Sequence, residues 1–178
     1  MSVFTESNYE NALLELLDNL GYDHVYGPEI ERDYRVPFYE AQLSHSLMLV
    51  NPTKPAAAID EAIRKVRDID SGTLIQKNQQ FMDYLQNGVE VSYMHNGEAV
   101  NDIVYLIDFA HPDRNTFQAI NQWTYVEKSE KRADIMIFVN GLPLVLVELK
   151  SPSREETDAS AAYRQIRNYI QEIPSLFI

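Results

Sequence analysis

Two runs of apolar, β-branched-rich residues stand out along the chain, at 134–139 and 144–149. Asn140 and Gly141 lie between them, and an Asn-Gly pair is the strongest short-range signal for a β-hairpin. Neither run alternates polar and apolar residues, which favours central strands covered on both faces. The pattern therefore predicts a buried hairpin in the middle of a sheet.

Three charged residues interrupt this hairpin, namely Asp134, Glu148 and Lys150. Side chains alternate along a strand, so Glu148 and Lys150 would share one face. A two-residue turn would place Asp134 opposite Val147, on the other face. An odd-length loop or a bulge would correct the register, and Pro143 also argues against a tight ladder there. We therefore predict such a loop or bulge, which would bring the three charged groups to one point.

Apolar residues at helical spacing predict several helices in the first half of the chain. The first runs to Leu20, with a capping box at residues 7–10 and Gly21 as its stop. Further helices are predicted at 41–50, after Pro55 and at 74–87. The residues predicted to face inward are Tyr9, Leu13, Leu16, Leu17 and Leu20 in the first helix, Ile59, Ala62, Ile63, Val66 and Ile69 in the third, and Leu74, Ile75, Met82 and Leu85 in the fourth.

From residue 89 onward the pattern changes to strands. It predicts a hairpin from 89–94 and 103–109, a strand over 115–126 and, after the central pair, a helix over 154–172. Asn121 and Gln122 are polar residues within the 115–126 strand. They either hydrogen-bond near a site or satisfy backbone groups at a sheet edge. Together these elements predict an α/β fold with a mixed central sheet flanked by helices.

Asp134, Glu148 and Lys150 have a chemical meaning if they meet. Carboxylate oxygens are hard ligands that suit Mg²⁺, which keeps several waters and usually takes one or two carboxylates. Such an ion polarises a phosphoryl oxygen and lowers the pKa of a bound water, while a lysine can position that water or stabilise charge. This is the chemistry of a phosphodiester hydrolase. The alternative is that Glu148 and Lys150 form a solvated pair on an edge strand.

Composition limits the other possibilities. The chain has 178 residues, no cysteine and a net charge of −12. It can therefore form one compact domain, it has no disulfide or thiolate metal site, and nothing in it is apolar for the ~20 residues of a membrane helix. An acidic surface opposes phosphate binding, so the isolated domain should hold DNA poorly. The local exception includes Lys128, Lys131 and Arg132, which either touch a DNA phosphate or form a solvated loop.

Several motifs are missing from the sequence. The six glycines cannot form the phosphate loop of an ATP motor, and the four histidines lack the spacing of a zinc site. There is no G-x-S-x-G pattern, and without cysteine there is no thiol nucleophile.

Longer strings extend the comparison beyond the charged residues. RADIMIFVNGLPLVLVELKSP at 132–152, DIVYLIDF at 102–109 and NTFQAINQ at 115–122 resemble the N-terminal endonuclease domain of the R subunit of type I restriction-modification enzymes. This domain belongs to the PD-(D/E)XK nucleases, and Gln165 with Tyr169 resembles the QxxxY motif of their RecB-like branch. The resemblance is strong over the second half and weak over the first helix. Ala133 stands where the family usually has a proline that positions backbone.

The resemblance implies a restriction-endonuclease-like core and a role for each matching residue. Asp134, Glu148 and Lys150 would be the catalytic set. Asp134, Glu148 and the backbone carbonyl of Leu149 would bind the metal. Gln165 and Tyr169 would orient the site and contact DNA.

Glu10 matches the place of a first-helix glutamate that faces the metal in this superfamily. The alternative is that Glu10 only caps its helix. Because the sequence ends shortly after Pro174, where the family continues, we expect residues 1–178 to be a single nuclease domain from a longer subunit. Within it, 41–88 would be a helical insertion and 89–173 the catalytic core.

The function implied is Mg²⁺-dependent endonucleolytic cleavage of double-stranded DNA, with Mn²⁺ as a substitute and ATP required only by the full-length subunit. The implied partners are the modification (M) and specificity (S) subunits, in the cytoplasm and without a membrane. Two alternatives remain. One is a non-catalytic docking domain that keeps the nuclease fold, and the other is a stand-alone repair or resolvase-like nuclease.

Overall fold

The computed structural model describes residues 5–150 and 159–178. The chain is an α/β protein with a central mixed sheet, as predicted. Its described elements are α1 (Glu6–Asn19), β1 (Asp23–Tyr26), α2 (Glu40–Val50), α3 (Ala56–Arg67), α4 (Leu74–Asn87), β2 (Val89–His95), β3 (Glu98–Val104), β4 (Phe117–Val126), β5 (Glu130–Val139), β6 (Leu142–Val147) and α5 (Ala159–Glu172).

The chain forms two compact units. The first comprises Met1–Pro37, Phe117–Phe138 and Pro143–Phe177, and the second comprises Phe38–Thr116, Val139–Leu142 and Ile178. None of the described helices has the length and apolar composition that crossing a lipid bilayer requires.

The first unit is built on the four-stranded sheet, whose strand order is β1-β4-β5-β6. β1 pairs with β4 in parallel, with Asp23 opposite Gln118 and Tyr26 opposite Asn121. β4 and β5 are therefore the central strands, and β6 is an edge. Leu144 is 37% exposed on β6, so the prediction that both hairpin strands are covered on both faces is wrong for this strand.

Helix α1 packs one face against this sheet. Leu14 and Leu17 are buried in a cluster with Ala119 of β4 and Ile135 of β5. The predicted inward stripe is wrong at three positions, because Tyr9, Leu16 and Leu20 are all at least 40% exposed. The buried residues Leu14 and Leu17 lie on a neighbouring side of the helix, and Glu10 lies on that same side.

The start of α1 differs from its predicted capping box. Thr5 is the N-cap residue, and its backbone amide donates to Asn8 Oδ1 at 2.8 Å. The predicted box at residues 7–10 is wrong because Ser7 already lies in the first helical turn. Glu10 is consequently one turn further into the helix and is not its capping residue. The predicted stop is confirmed, since Gly21 follows the helix with a φ of +90°.

The β5–β6 hairpin has a two-residue turn. Asn140 and Gly141 both have positive φ values, 54° and 85°, which is the conformation of a type I′ turn. The predicted odd-length loop is therefore wrong. The predicted pairing of Asp134 with Glu148 also requires β6 to continue to Lys150, whereas the strand ends at Val147. Residues 148–150 therefore lie outside the strand and do not follow its alternation of faces.

The second unit contains α2, α3, α4 and a separate hairpin. The five core residues predicted for the third helix are all buried: four lie in α3, among them Ile59 and Ala62 at 0% exposure, and Ile69 lies just after its end. β2 and β3 form an antiparallel pair with Val89 opposite Val104. The predicted second strand at 103–109 is wrong, because β3 begins directly after the Asn96-Gly97 turn and ends at Val104.

Helix α4 has the predicted extent and the predicted stop at Gly88, but no buried residue. Ile75 is 72% exposed and Met82 is 42% exposed, so the prediction that they face inward is wrong. Helical periodicity shows that a helix has an apolar side, but it does not show that another element covers that side. For the last helix, the predicted start at 154 lies outside the described residues, and the described part runs from Ala159 to Glu172.

Candidate active site

Asp134 lies in the middle of β5, and Glu148 to Lys150 follow the end of β6. The Leu149 backbone amide donates a hydrogen bond to Asp134 Oδ2 at 2.7 Å. The chain beyond β6 therefore lies against the Asp134 carboxylate. This contact brings Asp134 next to the Glu-x-Lys segment, although the loop predicted for that purpose is absent.

Lys150 is in contact with three oxygen atoms. Its ammonium Nζ donates to Glu148 Oε1 at 2.7 Å and to the Leu149 carbonyl at 2.9 Å. A third oxygen, Glu6 Oε1, lies 3.7 Å from Nζ. The Glu148 side chain is only 2% exposed, whereas that of Lys150 is 20% exposed. The pair is thus an ion pair that is largely removed from water, in contrast to the solvated edge pair of the alternative interpretation.

Gln165 and Tyr169 are one turn apart on α5, and Tyr169 contacts Glu148 while Gln165 contacts Tyr169. The Gln165 amide nitrogen Nε2 donates to the Tyr169 hydroxyl at 2.9 Å. That hydroxyl lies 3.3 Å from Glu148 Oε2 and 3.1 Å from the carbonyl oxygen of Arg132. The two Glu148 oxygens therefore have different partners, Lys150 on one side and Tyr169 on the other.

Glu10 faces the sheet from α1. Asn121 Nδ2 donates to Glu10 Oε1 at 2.7 Å, and Gln122 Nε2 lies 3.2 Å from Glu10 Oε2. Burial is the main cause of the raised pKa of the Asp134 carboxyl group, and the negative charge of Glu10 adds a smaller contribution. The two polar residues of β4 are thus placed near the candidate site, which was one of the two possibilities left open by the sequence.

Burial and neighbouring charge shift the pKa values of Asp134, Glu148 and Lys150. Burial raises the pKa of Asp134, against the opposing effects of the Leu149 amide and Lys150. Burial also raises the pKa of Glu148, and the charge of Asp134 adds to this effect. For Lys150, burial lowers the pKa, but the hydrogen bond and charge of Glu148 outweigh it and the net pKa is raised. Groups shifted in this way cluster at functional sites.

Tyr169 remains a hydrogen-bond donor at neutral pH. Burial raises the pKa of its hydroxyl to about 12, and the charge of Glu148 adds to the effect. The neutral hydroxyl can therefore donate to the Glu148 carboxylate, which restricts the orientation of that carboxylate.

The donor set suits a hard divalent cation. Asp134 and Glu148 supply two carboxylates, and the Leu149 carbonyl supplies a third oxygen, a set typical of Mg²⁺ when waters complete the coordination. No group of three or more histidine, cysteine, aspartate or glutamate side chains is arranged for a metal among residues 5–150 and 159–178. Lys150 contacts two of these oxygens, so an ion bound between them would displace its ammonium group.

Lys128, Lys131 and Arg132 lie just before Asp134 in the chain. The Lys128 ammonium donates to the Gln171 carbonyl at 2.9 Å, near the C-terminal end of α5, where a positive charge offsets the helix dipole. Arg132 is exposed, and its backbone carbonyl contacts Tyr169. The contact of Lys128 gives that residue a structural role; a role in DNA binding stays a prediction for all three.

Two residues at the site were missed by the sequence reasoning. Glu6 contacts Lys150, and it precedes Glu10 by four residues, which places both on one side of α1. That spacing could have identified it. His24 Nε2 lies 3.0 Å from Asn121 Oδ1. No sequence signal identifies His24, because its position depends on the pairing of β1 with β4.

The family described as "Type I restriction enzyme R protein N terminus" matches residues 3–178 of the chain. The chain belongs to this family. Similarity extends to the Type I restriction enzyme HindI endonuclease subunit of Haemophilus influenzae, which is 36% identical over 99% of this chain and 18% of its own length. The resemblance inferred from the sequence strings is thereby confirmed.

Two further relatives agree with this assignment. The Putative type I restriction enzyme MjaIXP endonuclease subunit of Methanocaldococcus jannaschii is 30% identical over 94% of this chain and 17% of its own length. The Type I restriction enzyme EcoprrI endonuclease subunit of Escherichia coli is 27% identical over 94% of this chain and 50% of its own length. The chain thus spans less than a fifth of the first two relatives and half of the third.

Proposed function

We propose that this chain is the nuclease part of a type I restriction enzyme R subunit and cleaves DNA phosphodiester bonds endonucleolytically, with Mg²⁺ as its cofactor. The observation that carries the proposal is the cluster of Asp134, Glu148 and Lys150, in which the Leu149 amide donates to Asp134 and the Lys150 ammonium donates to Glu148. Family membership and the names of the relatives support the same reaction class.

In this proposal Asp134, Glu148 and the Leu149 carbonyl hold the Mg²⁺ ion. When bound, the ion polarises a phosphoryl oxygen and lowers the pKa of a coordinated water. Mn²⁺ can substitute, since it accepts the same oxygen ligands. The raised pKa values of the two carboxyl groups fit this role, because burial first and neighbouring negative charge second disfavour their ionised forms, and a bound divalent cation would favour those forms.

Lys150 acts as the positive group nearest to the reacting phosphate. Its raised pKa keeps it protonated at neutral pH, so it can position the attacking water or stabilise the charge that develops on the phosphoryl oxygens. Tyr169 and Gln165 support this centre by fixing the orientation of Glu148. Glu10 borders it from α1.

The remaining requirements are assigned to the longer protein. The net charge of −12 gives this chain little attraction for a polyanion, so we expect other domains to bind the double-stranded DNA. ATP would be used by motor domains outside this chain. The M and S subunits would supply site recognition in a cytoplasmic complex, and residues 1–178 would act as one nuclease domain, with 41–88 as its helical insertion and 89–173 as its catalytic core.

The direct test is cleavage of plasmid DNA by the assembled enzyme carrying Asp134→Ala in this domain. We expect cleavage to be lost while ATP hydrolysis is retained, because the substitution removes one of the two carboxylates of the ion site. Asp60→Ala is the matched control, since it removes the same charge from an exposed position on α3. If Asp134→Ala cleaves as the wild type does, the proposal is wrong and a non-catalytic docking role is favoured.

A further inference from the structure

Strand β4 contains a backbone irregularity next to Glu10. Gln122 has a φ of +57° in the middle of a strand that runs from Phe117 to Val126. Residues other than glycine rarely adopt this left-handed conformation, because the Cβ atom crowds the backbone. A single residue of this kind within a strand is typical of a β-bulge, a feature that often occurs beside active sites and re-aims a side chain.

The irregularity changes the direction of one side chain. Neighbouring residues of a regular strand point to opposite faces of the sheet. Asn121 and Gln122 are neighbours, yet both amide nitrogens donate to Glu10, at 2.7 Å from Asn121 Nδ2 and at 3.2 and 3.3 Å from Gln122 Nε2. Both oxygens of the Glu10 carboxylate are therefore contacted by β4, which a regular strand with the same sequence could not achieve.

Two further contacts hold this arrangement in place. A Cβ atom on Gly27 would lie 2.7 Å from the Asn121 carbonyl oxygen and 3.0 Å from that of Gln122, so only glycine allows the backbone to approach the irregularity. His24 lies 3.0 Å from Asn121 Oδ1. With its oxygen facing His24, the Asn121 amide directs its nitrogen to Glu10, and the orientation of the amide is thereby defined.

We propose that Asn121 and Gln122 are positioning residues that hold the Glu10 carboxylate toward the ion site formed by Asp134 and Glu148. Glu10 would act there through a water that the metal binds, since these three carboxylates are not arranged as direct ligands of one ion, and the two amides would act only through Glu10. This inference rests on the proposed function. Its basis is the shared carboxylate, because a bulge that served only to bend the strand would not require two amide contacts to one glutamate.

The test measures Mn²⁺ binding to the full-length R subunit without nucleotide, by electron paramagnetic resonance of the free ion. Only the Mn²⁺ binding that is lost in the Asp134→Asn variant is assigned to the candidate site. The variants are Gln122→Gly, Glu10→Gln and the two combined. Glycine adopts the left-handed conformation without strain, so Gln122→Gly removes the amide and keeps the bulge. Asn96→Gly is the matched control, because Asn96 has a φ of 51° in the β2–β3 turn of the second unit.

We expect Gln122→Gly to weaken Asp134-dependent Mn²⁺ binding about 10-fold, as is typical of residues that orient a metal site from outside the ligand set. In the Glu10→Gln background Gln122→Gly should have no further effect on Mn²⁺ binding, since the carboxylate that Gln122 positions is already absent. The same non-additive pattern should appear in the rate of DNA cleavage. Asn96→Gly should bind Mn²⁺ as the wild type does.

Wild-type Mn²⁺ binding by Gln122→Gly would overturn the inference, as would a full additional loss in the Glu10→Gln background. A wild-type protein without Asp134-dependent Mn²⁺ binding would instead contradict the proposed function. In that case the positioning role would also be rejected if Gln122→Gly changes only the melting temperature, because the contacts to Glu10 would then be purely structural.

Discussion

Replacing Asn140 by alanine should destabilise the protein far more than the same change at Asn96. Each asparagine is the first residue of an Asn-Gly turn, with nearly equal φ values of 54° and 51°. The Asn140 side chain is fully buried, and its amide makes three hydrogen bonds of 2.8 Å, with the Leu106 carbonyl, Asn115 Oδ1 and the Thr116 amide. Among the described residues, the Asn96 side chain has no hydrogen-bond partner.

The expected difference follows from these contacts. Each lost hydrogen bond costs about 1 kcal/mol, and alanine in the left-handed conformation costs about 1 kcal/mol more than asparagine. Asn140→Ala should therefore lower the free energy of unfolding by about 4 kcal/mol, and Asn96→Ala by about 1 kcal/mol. At about 2–4 °C per kcal/mol for a domain of this size, the melting temperatures should fall by about 8–16 °C and about 2–4 °C.

Thermal unfolding followed by circular dichroism measures both values. Gly141→Ala and Gly97→Ala provide a second matched pair. A Cβ atom on Gly141 would lie 2.5 Å from the Leu43 amide nitrogen, whereas one on Gly97 meets nothing within 4 Å. Equal losses for the two asparagine variants would refute the reasoning, because the turn conformation alone would then account for the cost and the buried amide network would contribute nothing.

Three other predictions concern the candidate site. Asp134→Asn should raise the melting temperature in EDTA at neutral pH, by about 2–4 °C for a gain of about 1 kcal/mol. Because the pKa of Asp134 is raised in the folded protein, wild-type stability falls as the pH rises from the ordinary aspartate pKa of 3.8 through the raised value. The higher melting temperature of Asp134→Asn should therefore disappear at pH values below this range. A variant that stays more stable than the wild type at those pH values would show that the buried charge is not the cause. Lys150→Met should abolish DNA cleavage but keep or strengthen Mn²⁺ binding measured by calorimetry, because a cation 2.7 Å from Glu148 is removed; weaker binding contradicts this. Tyr169→Phe should reduce the cleavage rate about 10-fold, with little change in melting temperature, because it frees Glu148 to reorient. A Tyr169→Phe rate equal to that of the wild type would exclude this role.

The sequence was sufficient for the parts of the fold that depend on local signals. The position of the hairpin turn at Asn140-Gly141 (though not its length), the helix after Pro55 and the stops at Gly21 and Gly88 were predicted at the correct residues. Each depends on the conformational preferences of a few adjacent residues, which a sequence displays directly.

The errors arose where distant contacts decide. The predicted register of Asp134 and Glu148 was wrong because no glycine or charged residue before Glu148 marks the end of β6 at Val147. The apolar side of α4 is visible in the sequence, but its exposure depends on what packs nearby. The hydrogen bonds between Glu10 and the β4 amides depend on the positive φ of Gln122, and a glutamine in the sequence does not predict a positive φ.

The central claim is that Asp134 and Glu148 share one divalent cation. The most direct measurement is anomalous diffraction from crystals of this chain soaked in Mn²⁺, with Asp134→Asn crystals as the control. We predict one strong peak about 2.1 Å from carboxylate oxygens of both residues, with the Lys150 ammonium displaced from Glu148, and no peak in the variant. Crystals without a peak at these carboxylates, or with the same peak in the variant, would contradict the account.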